Sequence, residues 1–290
     1  MLTGFNISPL PFYNSLSEQF AKQPCAFGVN YPLLCGLNEP LPFLFHTNVS
    51  SDSTRLQSIA IVREGGLVQF DVTAHYQGHG FYMDGDGVAG GGTFVGFFPS
   101  SDFNYQFPSV GNYYYVITLI DTDLGVDTYT YYSELFCVTD MLNDAIKITY
   151  TNPTNIETPF GEIPFNDEYN PRDPYAFSIW VNALIGKPEY NFEETETNRN
   201  GYSFLERVVS KKTYKFAFVA PEYLCDALRL AKLCSEMTIT HRGKTYLPTT
   251  FDISVKWEEQ GDLASVTITF DTDNILYTIG GYTRDLLLVP

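Results

Sequence analysis

Positive charge is what this sequence has least of. Only 17 Lys and Arg stand against 34 Asp and Glu, a formal net charge of −17. Binding a nucleic-acid backbone depends on clustered cations that release counterions, so direct nucleic-acid binding is not expected. Long apolar runs are missing as well, and no segment of about 18 uncharged apolar residues is available to span a bilayer as a helix. The opening MLTGFNISPLPFYNSL has neither a cationic region nor a continuous apolar one, so it does not read as a secretory signal. The five cysteines, Cys25, Cys35, Cys137, Cys225 and Cys234, are odd in number and show no CxxC spacing. That argues against a zinc ribbon or a disulfide framework and for reduced, buried thiols made in a bacterial-type cytoplasm.

Aromatic side chains are abundant, with 21 Tyr and 23 Phe in 290 residues. Their preference for pleated, half-buried surfaces predicts an ordered, mainly β chain. The expected organisation has three parts. Residues 1–54, rich in Pro, Asn and aromatics without a sustained period, read as an ordered arm with short strands, packed on its own domain or on a neighbouring subunit. Residues 55–143 read as an immunoglobulin-like β-sandwich. In it LVQFDVTAH alternates as one strand, and NYYYVITLI and VDTYTYYSELFCV flank a turn at Gly125. Residues 144–290 read as an α+β domain, an antiparallel sheet or barrel with one helix near 221–236. In that helix Pro221 occupies the first helical position, and Leu224, Leu228 and Ala231 share the buried face.

Charge divides the same halves. Residues 1–145 hold three bases (Lys22, Arg55, Arg63) and fourteen acids, and the remainder holds fourteen bases and twenty acids. Within the second half, acids gather over 157–196, where there are nine against Arg172 and Lys187, while Arg207, Lys211, Lys212 and Lys215 follow closely. Complementary patches of this kind can guide head-to-tail assembly into a ring; two solvated faces are the plainer alternative.

Tests for chemistry assign no catalytic, cofactor-binding or metal residue, and the expectation is a non-enzymatic protein without cofactors. His75 and His79 are spaced as an HxxxH pair, but a strand ending at His75 and a loop at His79 would deny them a shared helix face. His46 and His241 stand alone. Asp84-Gly85-Asp86-Gly87 and Asp121-Thr122-Asp123 offer oxygen ligands, yet neither continues as an EF-hand and both read as turns. Eight glycines between Gly78 and Gly96 predict a long flexible loop, and no GxxxxGK[ST] spacing makes it a phosphate cradle. Residues 153–173, PTNIETPFGEIPFNDEYNPRD, read as irregular surface chain. Cys225 and Cys234, nine residues apart, fall on opposite sides of a helix and read as small core hydrophobes. No GxSxG elbow is present.

Several segments together carry a resemblance. SPLPFYNSLSEQ with CAFGVNYPL, then TYYSELFCV, then GKPEYNFEETETNRNGYSFLERVVSKKTYKFAFVAPEYLCDALRL with KWEEQGDLASVTITFDTD are collinear with a family of uncharacterised structural proteins of Bacteroides phages and prophages, which the chain resembles. The glycine-rich 78–92 and the acidic 153–173 depart from the family pattern. The resemblance implies a virion component of the tail, baseplate or head-to-tail connector, made in the host cytoplasm. Its expected partners are further copies of itself in a ring-like homo-oligomer and other tail or fibre proteins. The aromatic sandwich also leaves open a glycan-binding surface-recognition module.

Overall fold

The computed structural model describes residues 2–6, 8–22, 25–26, 29–30, 33–49, 53–66, 68–85, 92–100, 103–122, 127–158, 161–163, 165, 175–199, 202–257, 263–272 and 276–279. The architecture is mainly β, several sheets with few helices. The first half runs β1 (Leu2–Asn6), β2 (Phe12–Tyr13), α1 (Leu16–Lys22), β3 (Cys25–Ala26), β4 (Val29–Asn30), β5 (Leu33–Gly36), β6 (Phe43–Thr47), β7 (Thr54–Arg63) and β8 (Gln69–Asp71). It continues with α2 (Thr73–Gln77), β9 (Phe81–Gly85), β10 (Thr93–Phe97), β11 (Gly111–Asp121), β12 (Asp127–Ser133) and β13 (Phe136–Thr139).

While β3 and β4 pair by themselves, two main sheets form from these strands, one ordered β1-β6-β10-β9 and one built around β11, which pairs with β7, β12 and β13. Their facing sides interlock through rings. Phe43 on β6 lies 5.3 Å from Tyr115 on β11, and Phe45 lies 5.2 Å from Tyr131 on β12. Aromatic pairs at this spacing add packing energy beyond the area they bury, which is where the aromatic excess of the sequence goes. The segment 1–54 is woven into both sheets. β6, buried at every residue, is an interior strand between β1 and β10, and β5 pairs in parallel with β13. Helix α1 starts where Ser15 Oγ accepts from the Glu18 amide and the Glu18 carboxylate accepts from the Asn14 amide, a variant of the reciprocal cap that a Ser-x-x-Glu spelling offers.

Two local expectations are corrected. The alternation in LVQFDVTAH does not extend to His75. Asp71 Oδ1 accepts from both the amide (2.9 Å) and the hydroxyl (2.6 Å) of Thr73, a turn that ends β8 and starts α2. Tyr76 of that helix is then fully buried, its hydroxyl 3.0 Å from that of Tyr115. Likewise the glycine-rich stretch holds a hairpin, with β9 and β10 paired from Phe81↔Phe97 to Gly85↔Thr93. Residues 86–91 of it, Asp86 and Gly87 included, lie outside the described residues, as do Asp123 and Gly125. Several glycines here serve close packing. A Cβ on Gly92 would stand 1.9 Å from the Thr47 carbonyl oxygen, and one on Gly96 would stand 2.9 Å from Leu44.

The second half comprises β14 (Ile146–Thr151), β15 (Ile156–Thr158), β16 (Gly161–Ile163), β17 (Ala176–Val181), β18 (Glu189–Arg199), β19 (Tyr202–Pro221), α3 (Glu222–Ala231), β20 (Glu236–His241), β21 (Lys244–Tyr246), β22 (Pro248–Trp257), β23 (Leu263–Thr272) and β24 (Leu276–Ile279). One sheet is ordered β17-β14-β20-β21, and a second is ordered β18-β19-β23-β22 with β24 also on β19. Helix α3 is shorter than the 221–236 expected and follows Pro221, which is extended (φ −73°, ψ 167°) and closes β19. Pro221 therefore precedes the helix, outside its first turn, and makes no side-chain cap. Its buried face is Leu224, Ala227, Leu228, Leu230 and Ala231. Of the segment 153–173, residues 159–160, 164 and 166–173 lie outside the described residues; in the remainder β15 and β16 pair and Ile163 and Phe165 are buried, where irregular surface chain was expected. One apolar cluster runs without interruption from Leu10 to Phe270 across both halves.

Candidate functional site

A concave feature lies where the halves meet. Pro40, Pro42 and Phe103 of the first half face Lys147, Ser178 and Trp180 of the β17-β14 sheet across a cleft of ≈ 290 Å³. Alternation along β14 and β17 decides what faces it: Ile148, Tyr150, Phe177 and Ile179 are buried, leaving Lys147 and Trp180 outward. Glu39 ties the cleft together. Its Oε2 accepts from Lys147 Nζ (2.9 Å) and from Trp180 Nε1 (3.2 Å), and Lys147 sits 5.3 Å from the Trp180 ring. Beside it Phe98 stacks on Tyr175 at 4.3 Å and 11°. The polar groups of the cleft therefore fasten the two halves. Both ends of the Glu39–Lys147 pair keep contact with solvent, so it contributes no more than about 1 kcal/mol.

The second cluster is buried. The Tyr13 hydroxyl donates to Glu134 Oε2 (2.7 Å), the Leu135 amide donates to Glu134 Oε1 (3.0 Å), and Gln19 donates to the Ser133 carbonyl. Burial first, then the Glu134 charge, pushes the phenols of Tyr13 and of Tyr223 on α3 far up. The interior tyrosines Tyr76, Tyr115 and Tyr150 are raised by burial too. A phenol raised in the folded chain stays protonated there and ionises on unfolding. Its stabilisation is complete below the unfolded value of about 10 and is lost as pH rises above it. We expect the melting temperature to fall ever more steeply above about pH 10, each fully buried tyrosine contributing up to about 1.4 kcal/mol per pH unit. Thermal melts followed by circular dichroism from neutral to strongly alkaline pH check this, and a flat profile would refute it.

The histidine pair is closer than its sequence context implies. Because α2 replaces the expected strand, His75 and His79 come together with ring centroids 5.1 Å apart, flanked by Phe103 at 5.0 and 6.1 Å. No group of three His, Cys, Asp or Glu suited to a metal occurs among the described residues. His46 is buried against Phe94, and His241 ends β20, where burial and Arg242 hold its imidazole below the ordinary value. Asp84 lies on β9 opposite Phe94 and Asp121 on β11 opposite Asp127, so both belong to strands. Burial raises every described thiol: Cys35 and Cys137 upward, Cys225 to about 11 and Cys234 to about 12. They are thiols at neutral pH, without the thiolate character a nucleophile or metal ligand needs. The side chain of Cys25 lies outside the described residues.

The last four acids of the 157–196 run, Glu189, Glu193, Glu194 and Glu196, share one hairpin with Arg207, Lys211, Lys212 and Lys215, while Asp167, Glu168, Arg172 and Asp173 lie outside the described residues. β18 pairs with β19 from Glu189↔Thr213 to Arg199↔Tyr202, so Lys211 and Lys212 face Asn191 and Tyr190 within the acidic strand. Acids of one strand thus run beside bases of the next within one ribbon, while the positions paired with Arg207, Lys211 and Lys212 are neutral. The same ribbon carries the feature that composition did not reveal: Tyr190 and Phe192 are 58% and 65% exposed, and Trp257 at the far edge of the sheet is 49% exposed. No described aromatic residue of 55–143 is comparably open.

No protein family model matches this chain, and no curated protein or solved structure does either.

Proposed function

We propose that this is a non-enzymatic structural protein of a Bacteroides phage virion, assembled as an oligomer in the tail, baseplate or head-to-tail connector. In this reading the two facing sheets of the first half are an immunoglobulin-like sandwich, the second half is an α+β unit, and the protein is made in the host cytoplasm before it joins the particle. The observation that carries it is the ribbon of β18 and β19, where Tyr190 and Phe192 lie open to water. Exposed apolar side chains of this size usually mark a surface that a partner covers. The collinear resemblance supplies the setting. The polar groups described above, from Glu39 to Glu134, support a structural role because each is engaged in holding strands together. Mass spectrometry of purified particles, with light scattering of the size-separated protein, tests the reading. We expect the chain in particles at structural copy number, and its absence from them would sink the proposal.

The cleft beside Trp180 favours a second reading, a glycan-binding surface-recognition module. It is of a size to take one or two sugar rings, and an indole in its wall is the usual apolar platform for them. The tyrosines of the sandwich serve this reading less well because they build its core. Binding to a bacterial polysaccharide that disappears in Trp180→Ala would favour this module, and silence across a broad glycan panel would discard it.

A further inference from the structure

The uncovered ribbon is self-complementary. Even-numbered residues of β19 share one face. In its C-terminal half Tyr214, Phe216, Phe218 and Ala220 are buried, on the sheet that α3 covers. The same face runs on through Lys212, Ser210 and Val208, and there Tyr190, Phe192 and Glu194 of β18 stand opposite them in that order. None of the described elements covers this stretch: β18 pairs with β19 alone, and Tyr190, Phe192 and Glu194 are all exposed. A few strands with an apolar face need something packed against that face to be stable.

Charge selects the occupant. With a net charge of −17 the protein repels copies of itself unless signs match locally. On this face they do, because Lys212 marks one end, Phe192 the middle and Glu194 the other end. A two-fold axis lying across the strands would set Phe192 against Phe192 of a second copy and bring each Lys212 toward the partner copy's acidic end. Within one chain the two charges are not paired, since Lys212 Nζ lies 5.6 Å from the Tyr190 ring and Glu194 stands opposite Val208. We infer that the 190–194 and 208–212 face of the ribbon is an isologous dimer contact with a second copy of this chain, sealed by reciprocal Lys212–Glu194 pairs. In a ring-forming subunit such a contact joins two rings back to back. The inference deepens the oligomeric reading above and rests on it.

Charge exchange tests it in the full-length protein by light scattering across a wide concentration range. Wild type is expected to show an even number of copies. Glu194→Lys, which sets cation against cation, is expected to weaken that association at least about tenfold, and Glu194→Lys combined with Lys212→Glu is expected to restore it. Both side chains are on the surface, so circular dichroism and the melting temperature should stay at wild-type values in all three proteins. An oligomer that ignores both variants would overturn the contact while leaving the oligomeric reading intact. A wild type that is monomeric throughout would overturn the contact too, and particle composition would then judge the virion reading separately.

Discussion

Gly80→Ala is expected to cost at least about 3 kcal/mol, enough to leave little folded protein at ordinary stability. Gly80 has φ of +115°, a region that L side chains rarely enter, and its missing Cβ would stand 1.8 Å from the Phe98 carbonyl oxygen. Neither fault can be relieved by turning a side chain, because the obstacle is backbone. That backbone is fixed on both sides: the Phe98 amide donates to the Gly80 carbonyl, the Ser100 amide to that of His79, and the Phe98 ring stacks on Tyr175. Displacing 98–100 would therefore pull open the join between the halves. Gly65→Ala is the control. Its φ is also positive, at +93°, but nothing lies within 4 Å of the added methyl, so only the conformational cost of about 1 kcal/mol remains. Urea unfolding of the two variants separates the cases, and equal midpoints would refute the packing explanation.

Removing residues 1–54 is expected to abolish cooperative folding of the first half. β6 lies between β1 and β10 and forms part of the hydrophobic interior, so its loss leaves β10 without a partner on one side and uncovers the aromatic face of β11. A point variant measures the same dependence without truncation. Phe43 is fully buried, with Phe12, Phe97 and Tyr115 rings at 5.1, 6.0 and 5.3 Å. Phe43→Ala removes the ring they pack on and is expected to cost about 3–5 kcal/mol. A fragment 55–290 that melts cooperatively at the wild-type temperature would show that the segment is an accessory arm after all.

Strands with strict alternation were legible because one buried face demands it. IKITYTN, AFSIWV and ASVTITFDT appear as β14, β17 and β23, with the apolar positions inside. The apolar face of α3 was legible for the same reason, while its end was not: the helix stops at Ala231, short of the apolar pattern's end. Alternation misled at His75, where the side chain of Asp71 turns the backbone before the pattern runs out. Ser15 and Glu18 spelled the start of α1, a signal that the aromatic and proline content around it obscured. Glycine density misled most. Composition cannot distinguish a glycine kept for freedom from one kept for lack of a side chain, and Gly92 and Gly96 are of the second kind.

The candidate surfaces divide along the same line. The sequence alone determined that the protein is acidic and mainly β, and where the strictly alternating strands and the apolar face of α3 fall. These are properties of neighbours in the chain. Only the tertiary structure decided that Glu39 would meet Lys147 and Trp180, that Tyr13 would meet Glu134 across 121 positions, and that the acids of 189–196 would lie beside the bases of 207–215 in one ribbon. It also decided which aromatics remained open. Tyr115 and Tyr190 are the same residue on paired strands, yet one is sealed by a facing sheet and the other has none of the described elements over it. Burial depends on what packs across a face, and strand order and sheet stacking fix that at distances that local pattern does not encode.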